Sequence, residues 1–155
     1  MKISKKKFIY LISPNNITTQ FYRDLKEVLE TGKVSFFQMR LKKYSLKQKN
    51  LIGKKIKQIC KKNNVKFLVN DDLLLVKKLN ADGCHLGQKD TDIAEARKII
   101  GSKIIGITCH NSIKLAKTAI KKKASYLAFG AFFPSKTKKT KYKASIKILN
   151  EVKKL

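Results

Sequence analysis

The chain has 155 residues, 43% of them hydrophobic, which suits a single domain over 1–155 with a core of its own and excludes disorder as the default. Its formal net charge of +27 rests on lysines spread along the whole length, with Arg23, Arg40 and Arg97 the only arginines; base readout and bidentate phosphate contacts favour arginine, so nucleic acid is expected to be at most a nonspecific partner. No apolar run approaches the ~20 residues of a membrane span, and Cys60, Cys84 and Cys109 form no Cys-x-x-Cys pair, so membrane, zinc and disulfide classes drop out and a cytoplasmic location is expected.

The N-terminal MKISKKKFIYLIS has a basic start but an apolar stretch too short for a signal segment, and 8–13 (FIYLIS) reads as a first strand. A helix is predicted over 18–30, then a strand at 34–40 (VSFFQMR). In 46–60, Leu46, Leu51, Ile52, Ile56 and Ile59 recur at helical spacing while lysines fill the other face. A strand at 66–70 and a helix at 73–79 follow, then a strand at 83–87 and a helix at 92–100 with Asp92, after Thr91, as its cap. The last elements are a strand at 103–108, a helix at 112–122 capped by Asn111 or Ser112, a strand at 126–132 and a helix at 145–154. The strands are almost continuously apolar, as strands covered on both faces are. Six β-α units in succession imply a parallel sheet with right-handed crossovers.

An open doubly wound sheet and a barrel both satisfy that pattern. The first β-α turn is SPNN, without a Gly-rich phosphate loop, and polar residues end at least four strands; both features favour a barrel ringed by its β-α loops. A closed barrel takes eight units, typically about 250 residues. The expected fold is therefore α/β, of the TIM-barrel (β/α)8 type, incomplete, with about six units present.

The chemistry sits at the strand ends. In QMRLK, Gln38, Arg40 and Lys42 alternate with apolar residues and share a face; an Arg beside a Lys beyond a buried strand can grip a diphosphate, though a surface edge would look the same. Asn70, Asp71 and Asp72 close the third strand, and Asp90 follows the fourth. Helix caps or turn residues explain them singly; two carboxylates on one rim, with a diphosphate oxygen, form the usual shell for Mg2+. His85 reads as a packed core residue and His110 as nearer the rim, neither forming a nucleophilic dyad with Cys84 or Cys109. After the sixth strand, FPSKTKKT interleaves hydroxyls with lysines, which suits a phosphate-holding loop or a solvated basic one.

Taken in order, QMRLK, FLVNDD, ADGCHLGQKD, IIGITCHNS and YLAFGAFFPSKTKK make the chain resemble the thiamine phosphate synthase/TenI superfamily over residues 8–150, with wording similar to alphaproteobacterial members. The resemblance implies a TIM-barrel transferase of thiamine biosynthesis that joins hydroxymethylpyrimidine diphosphate to thiazole phosphate and releases pyrophosphate with Mg2+. It implies that Gln38, Arg40, Lys42 and Asn70 bind the pyrimidine diphosphate and that Asp71 and Asp90 hold Mg2+. Thr108 stands where many members have serine beside the diphosphate. Ser135, in place of a more usual threonine, and Thr137 would contact the thiazole phosphate, and Lys138 the diphosphate. Arg40, Lys42 and Lys138 would carry the catalysis by neutralising charge on the leaving pyrophosphate. A TenI-like thiazole phosphate isomerase, or a non-catalytic phosphate-binding relative, is the alternative. Family members continue for about two further β-α units with an Ile-Gly-Gly stretch, so the expectation is that a complementing C-terminal fragment or a second copy completes the barrel, or that activity is impaired.

Overall fold

The computed structural model describes residues 7–134 and 142–155. Twelve elements alternate along them: β1 (Ile9–Ile12), α1 (Thr19–Glu30), β2 (Val34–Met39), α2 (Leu46–Lys62), β3 (Lys66–Asn70), α3 (Leu73–Leu79), β4 (Gly83–Leu86), α4 (Ile93–Ile100), β5 (Ile104–His110), α5 (Ile113–Lys121), β6 (Tyr126–Phe129) and α6 (Lys147–Val152). The strands are parallel and their order is that of the chain, β1 to β6. The six β-α units expected from the sequence are thus present. Compact packing divides the described residues into one unit up to Cys84 and another from His85 onward.

Local chemistry sets the helix starts. Thr18, Ser45, Asp72, Asp92 and Ser112 each accept a backbone N–H in the first turn of α1 to α5, relieving the unpaired donors there. Ser45 and Gln48 form a reciprocal capping box. Asn80, left-handed at φ 45°, ends α3.

In the unit to Cys84, β1 pairs with β2 and β2 with β3. Phe37, Met39, Phe67 and Val69 are buried with Ile56, Cys60, Leu75 and Val76 from the helices. Each such side chain contributes about 1.5–3 kcal/mol of transfer free energy. In the unit from His85, Ile105, Ile107 and Cys109 of β5 form the apolar side, and α4 and α5 pack on that strand. Gly106 and Thr108 alternate with them and so face the other way. Strand ends differ from expectation by more than one residue at two places. β5 runs on to His110, which pairs with Phe129 across a register irregularity, so Cys109 and His110 stay in the strand although the expected strand ends at 108. β6 stops at Phe129 rather than 132, just before Gly130 at φ 155°, a backbone region open to glycine.

Candidate active site

At the ends of β2 and β3, polar side chains are held in a defined sense. Gln38 is 3% exposed. Its Oε1 accepts from the Tyr10 hydroxyl at 2.9 Å and its Nε2 donates to Asn70 Oδ1 at 2.6 Å. The Asn70 acceptor is thereby engaged, and its Nδ2 hydrogens are the part left to donate. The Arg40 amide donates to Ser13 Oγ at 2.9 Å, and the Ser13 amide donates to Gln38 O at 2.9 Å, so the end of β1 fixes the backbone at Arg40. The regular strand stops at Met39, yet burial still alternates: Met39 and Leu41 are buried, Arg40 half-buried and Lys42 exposed.

The two neighbouring aspartates differ sharply. Asp72 is spent as the α3 cap, its Oδ1 accepting from the Leu75 amide at 2.9 Å. Asp71 occupies φ 63°, and the Asp72 amide donates to Asn70 O at 2.8 Å across it. Such a three-residue turn around a non-glycine residue is of the rare, strained hand, at a cost of about 1–3 kcal/mol. Lys42 Nζ lies 3.9 Å from Asp71 Oδ2. Both line a cavity of about 200 Å³ with Lys49 and Asn70, above an apolar floor that includes Met39, Val69 and Leu75.

In the unit from His85, Asp90 Oδ2 accepts from the Gly87 amide at 2.7 Å while the Asp90 amide donates to Gly87 O at 3.3 Å. That turn occupies part of the carboxylate's acceptor capacity and leaves the rest. Half-buried Thr108 carries its hydroxyl 2.9 Å from His85 Nε2, and the Gln88 side-chain Nε2 donates to the Thr108 main-chain O. His85 Nδ1 lies 2.8 Å from the Tyr126 hydroxyl, the two rings stacking at 5.7 Å. His85 is packed against Tyr126 with both ring nitrogens engaged, half-buried on the polar face of β4, while Cys84 and Leu86 on either side are fully buried. His110, at φ 53°, stacks on Tyr142 at 3.8 Å. Ser112 caps α5, while Asn111 Oδ1 accepts from the Ser145 amide. Ser135, Thr137 and Lys138 lie outside the described residues.

Burial pushes the Cys60 thiol up to about 12, with the Asp82 charge adding to it, and the Cys109 thiol up to about 11. Neither is a thiolate near neutrality, so these two cysteines supply no nucleophile. The structure thus brings Gln38 to Asn70 and Lys42 to Asp71 in one unit, and places Thr108 with His85 and Gln88 in the other, which also holds Asp90. Arg40 is fixed through its main chain. The sequence reading missed Tyr10, Ser13 and Tyr126; a hydroxyl within an otherwise apolar run was the signal they gave.

Parallel β-α units whose strands end in amide, hydroxyl, ammonium and carboxylate groups define an α/β-barrel-type protein. The thiamine monophosphate synthase family model matches residues 9–155. The thiamine-phosphate synthase of Pelagibacter ubique (strain HTCC1062) is 64% identical over 151 residues, covering 97% of this chain and 73% of that protein. That of Erythrobacter litoralis (strain HTCC2594) is 43% identical over 133 residues, covering 84% and 62%. The thiamine phosphate pyrophosphorylase from Pyrococcus furiosus superposes with a TM-score of 0.81 at 28% identity, over 94% of this chain and 68% of that one. The chain belongs to the thiamine monophosphate synthase family.

Proposed function

We propose that the chain acts as a thiamine phosphate synthase-type transferase on small-molecule substrates, condensing hydroxymethylpyrimidine diphosphate with thiazole phosphate and releasing pyrophosphate. The observation that carries this reading is the cluster at the ends of β2 and β3, where Asn70 donors, the Lys42 ammonium and the strained Asp71 carboxylate share one cavity. In the reaction the C–O bond to the diphosphate breaks, and the leaving group takes the electron pair. The thiazole nitrogen then donates its lone pair to the cation-like methylene carbon. No proton needs to be removed and no enzyme nucleophile is required, which accords with the buried cysteines.

Each residue has a task under this reading. Gln38 holds Asn70 so that it donates; Arg40 and Lys42 neutralise charge as it grows on the leaving group, the step where fixed cations act most. Thr108 donates to the diphosphate. Ser135 and Thr137 are proposed for the thiazole phosphate and Lys138 for the diphosphate. Asp71 and Asp90 each carry the hard carboxylate oxygens that Mg2+ takes, one or two per ion together with phosphate and water, and each is proposed as a ligand on that chemistry. Magnesium would supply a compact dication against the diphosphate oxygens. Exposed Ile9 and Ile12 of β1, with Phe8 just before it, and, in the other unit, exposed Leu149 of α6, with Ile146 just before it, are each apolar surface proposed for a further chain to cover.

Pyrophosphate release, measured with both substrates and MgCl2, tests the proposal. The wild-type chain is expected to turn over and Asp71→Asn to lose at least about 100-fold, the scale of one lost electrostatic group. Absence of release from wild type, or equal release from Asp71→Asn, overturns it.

A further inference from the structure

Tyr126, His85 and Thr108 form a hydrogen-bonded row across β6, β4 and β5, all within the unit from His85, and the transferase chemistry leaves the first two without a task. We infer that Tyr126 and His85 are positioning residues that set the direction of the Thr108 hydroxyl, so that it offers its proton to an anionic phosphate oxygen. The inference rests on the reading above that Thr108 faces the diphosphate.

A neutral imidazole has one donor and one acceptor nitrogen, so the row has two arrangements. In one, the Tyr126 hydroxyl donates to Nδ1, Nε2–H donates to Thr108 Oγ1, and the threonine proton is left to point onward. In the other, Nδ1–H donates to Tyr126, Nε2 takes the threonine proton, and lone pairs face the site. Only the first suits an anion. A phenol, with a pKa near 10, is a stronger donor than an aliphatic hydroxyl, so Tyr126 at the head of the row selects that arrangement. The strand is built to admit the phenol: a Cβ at Gly106 would stand 1.8 Å from Tyr126 Cζ. The Gln88 amide, bonded to Thr108 O, holds the end of the row in place. The same sense of donation recurs independently in the other unit, where Tyr10 donates to Gln38, Gln38 donates to Asn70, and donors are left over. Two rows, each headed by a tyrosine and ending in a spare donor, point to a common purpose.

Nitrogen-15 NMR of the two histidines, separated with a His110→Gln variant, reads the tautomer directly. His85 is expected protonated on Nε2; protonation on Nδ1 overturns the inference whether or not any diphosphate binds. Calorimetric titration with inorganic pyrophosphate and MgCl2 is the companion measurement. Tyr126→Phe is expected to bind about tenfold more weakly, with a mixed His85 tautomer. Thr108→Val is expected to lose as much and the double variant little more, while Thr108→Ser keeps wild-type affinity. Unchanged affinity in Tyr126→Phe overturns the relay. A wild-type chain with the Nε2 tautomer but no pyrophosphate uptake instead overturns the functional reading on which the relay's purpose rests.

Discussion

Asp71 and Asp72 share a side chain and differ in everything the backbone does to it. Asp72 sits at an extended cap position and contributes about 1 kcal/mol to α3, whereas Asp71 is held at positive φ at a comparable cost. Strain that the fold maintains at a cavity-lining carboxylate accords with the ligand role proposed for it. The sequence shows two adjacent carboxylates and no way to divide the work, because φ is decided by the turn that joins β3 to α3. His85 was illegible for a related reason: a strand apolar on both sides conceals which face is the polar one. The cysteines make the converse case, since their spacing already denied them a role and burial explains why. With Cys60 pushed up to about 12 and Cys109 to about 11, native protein at pH 8 is expected to resist a thiol-specific reagent such as iodoacetamide at both positions and to react fully in denaturant. Rapid labelling of either in the folded protein would contradict their packing.

At the level of elements, period and capping carried most of the architecture into the sequence. β3 and α3 fall at the residues the pattern predicts, and the start of α2 is marked by its Ser45–Gln48 box. What stayed hidden were places where polar side chains accompany regular backbone, as at the end of β5, or where apolar residues outlast the strand, as after β6. Glycines record the packing between elements. At Gly53 in α2, an added Cβ would meet Leu79 Cδ1 at 2.4 Å, the movable tip of a side chain, and helix propensity returns about 1 kcal/mol on Gly→Ala. At Gly106 in β5 it would enter the Tyr126 ring, which has no such latitude. Gly106→Ala is therefore expected to lose about 1–3 kcal/mol or more of stability in urea unfolding, and Gly53→Ala clearly less. The reverse ranking would show that Tyr126 is free to swing away from β5, and with it from His85.

Charge is the property that belongs to the whole chain. With 37 basic and 10 acidic residues, most lysines have no carboxylate to pair with, and the pairs Lys26–Glu30, Lys66–Asp82, Lys98–Glu95 and Lys122–Asp92 are exposed, the kind worth at most about 1 kcal/mol each. Repulsion among the remainder extends over ~30 Å at 0.01 M salt and ~8 Å at 0.15 M. Raising NaCl over that range is expected to stabilise the protein by about 1 kcal/mol, or 2–4 °C in Tm for a chain of this size. Phosphate compared with chloride at equal ionic strength separates screening from a site. A generic polycation responds to both nearly alike, whereas a chain whose strand ends gather Lys42, Lys49 and Asn70 around one cavity gains further from phosphate. Lys42→Met is expected to remove that further gain and to keep the NaCl slope almost unchanged, since one charge in 27 alters the self-repulsion little. A phosphate advantage that survives Lys42→Met would mean that the surface lysines at large, and not the ends of β2 and β3, are where anions settle.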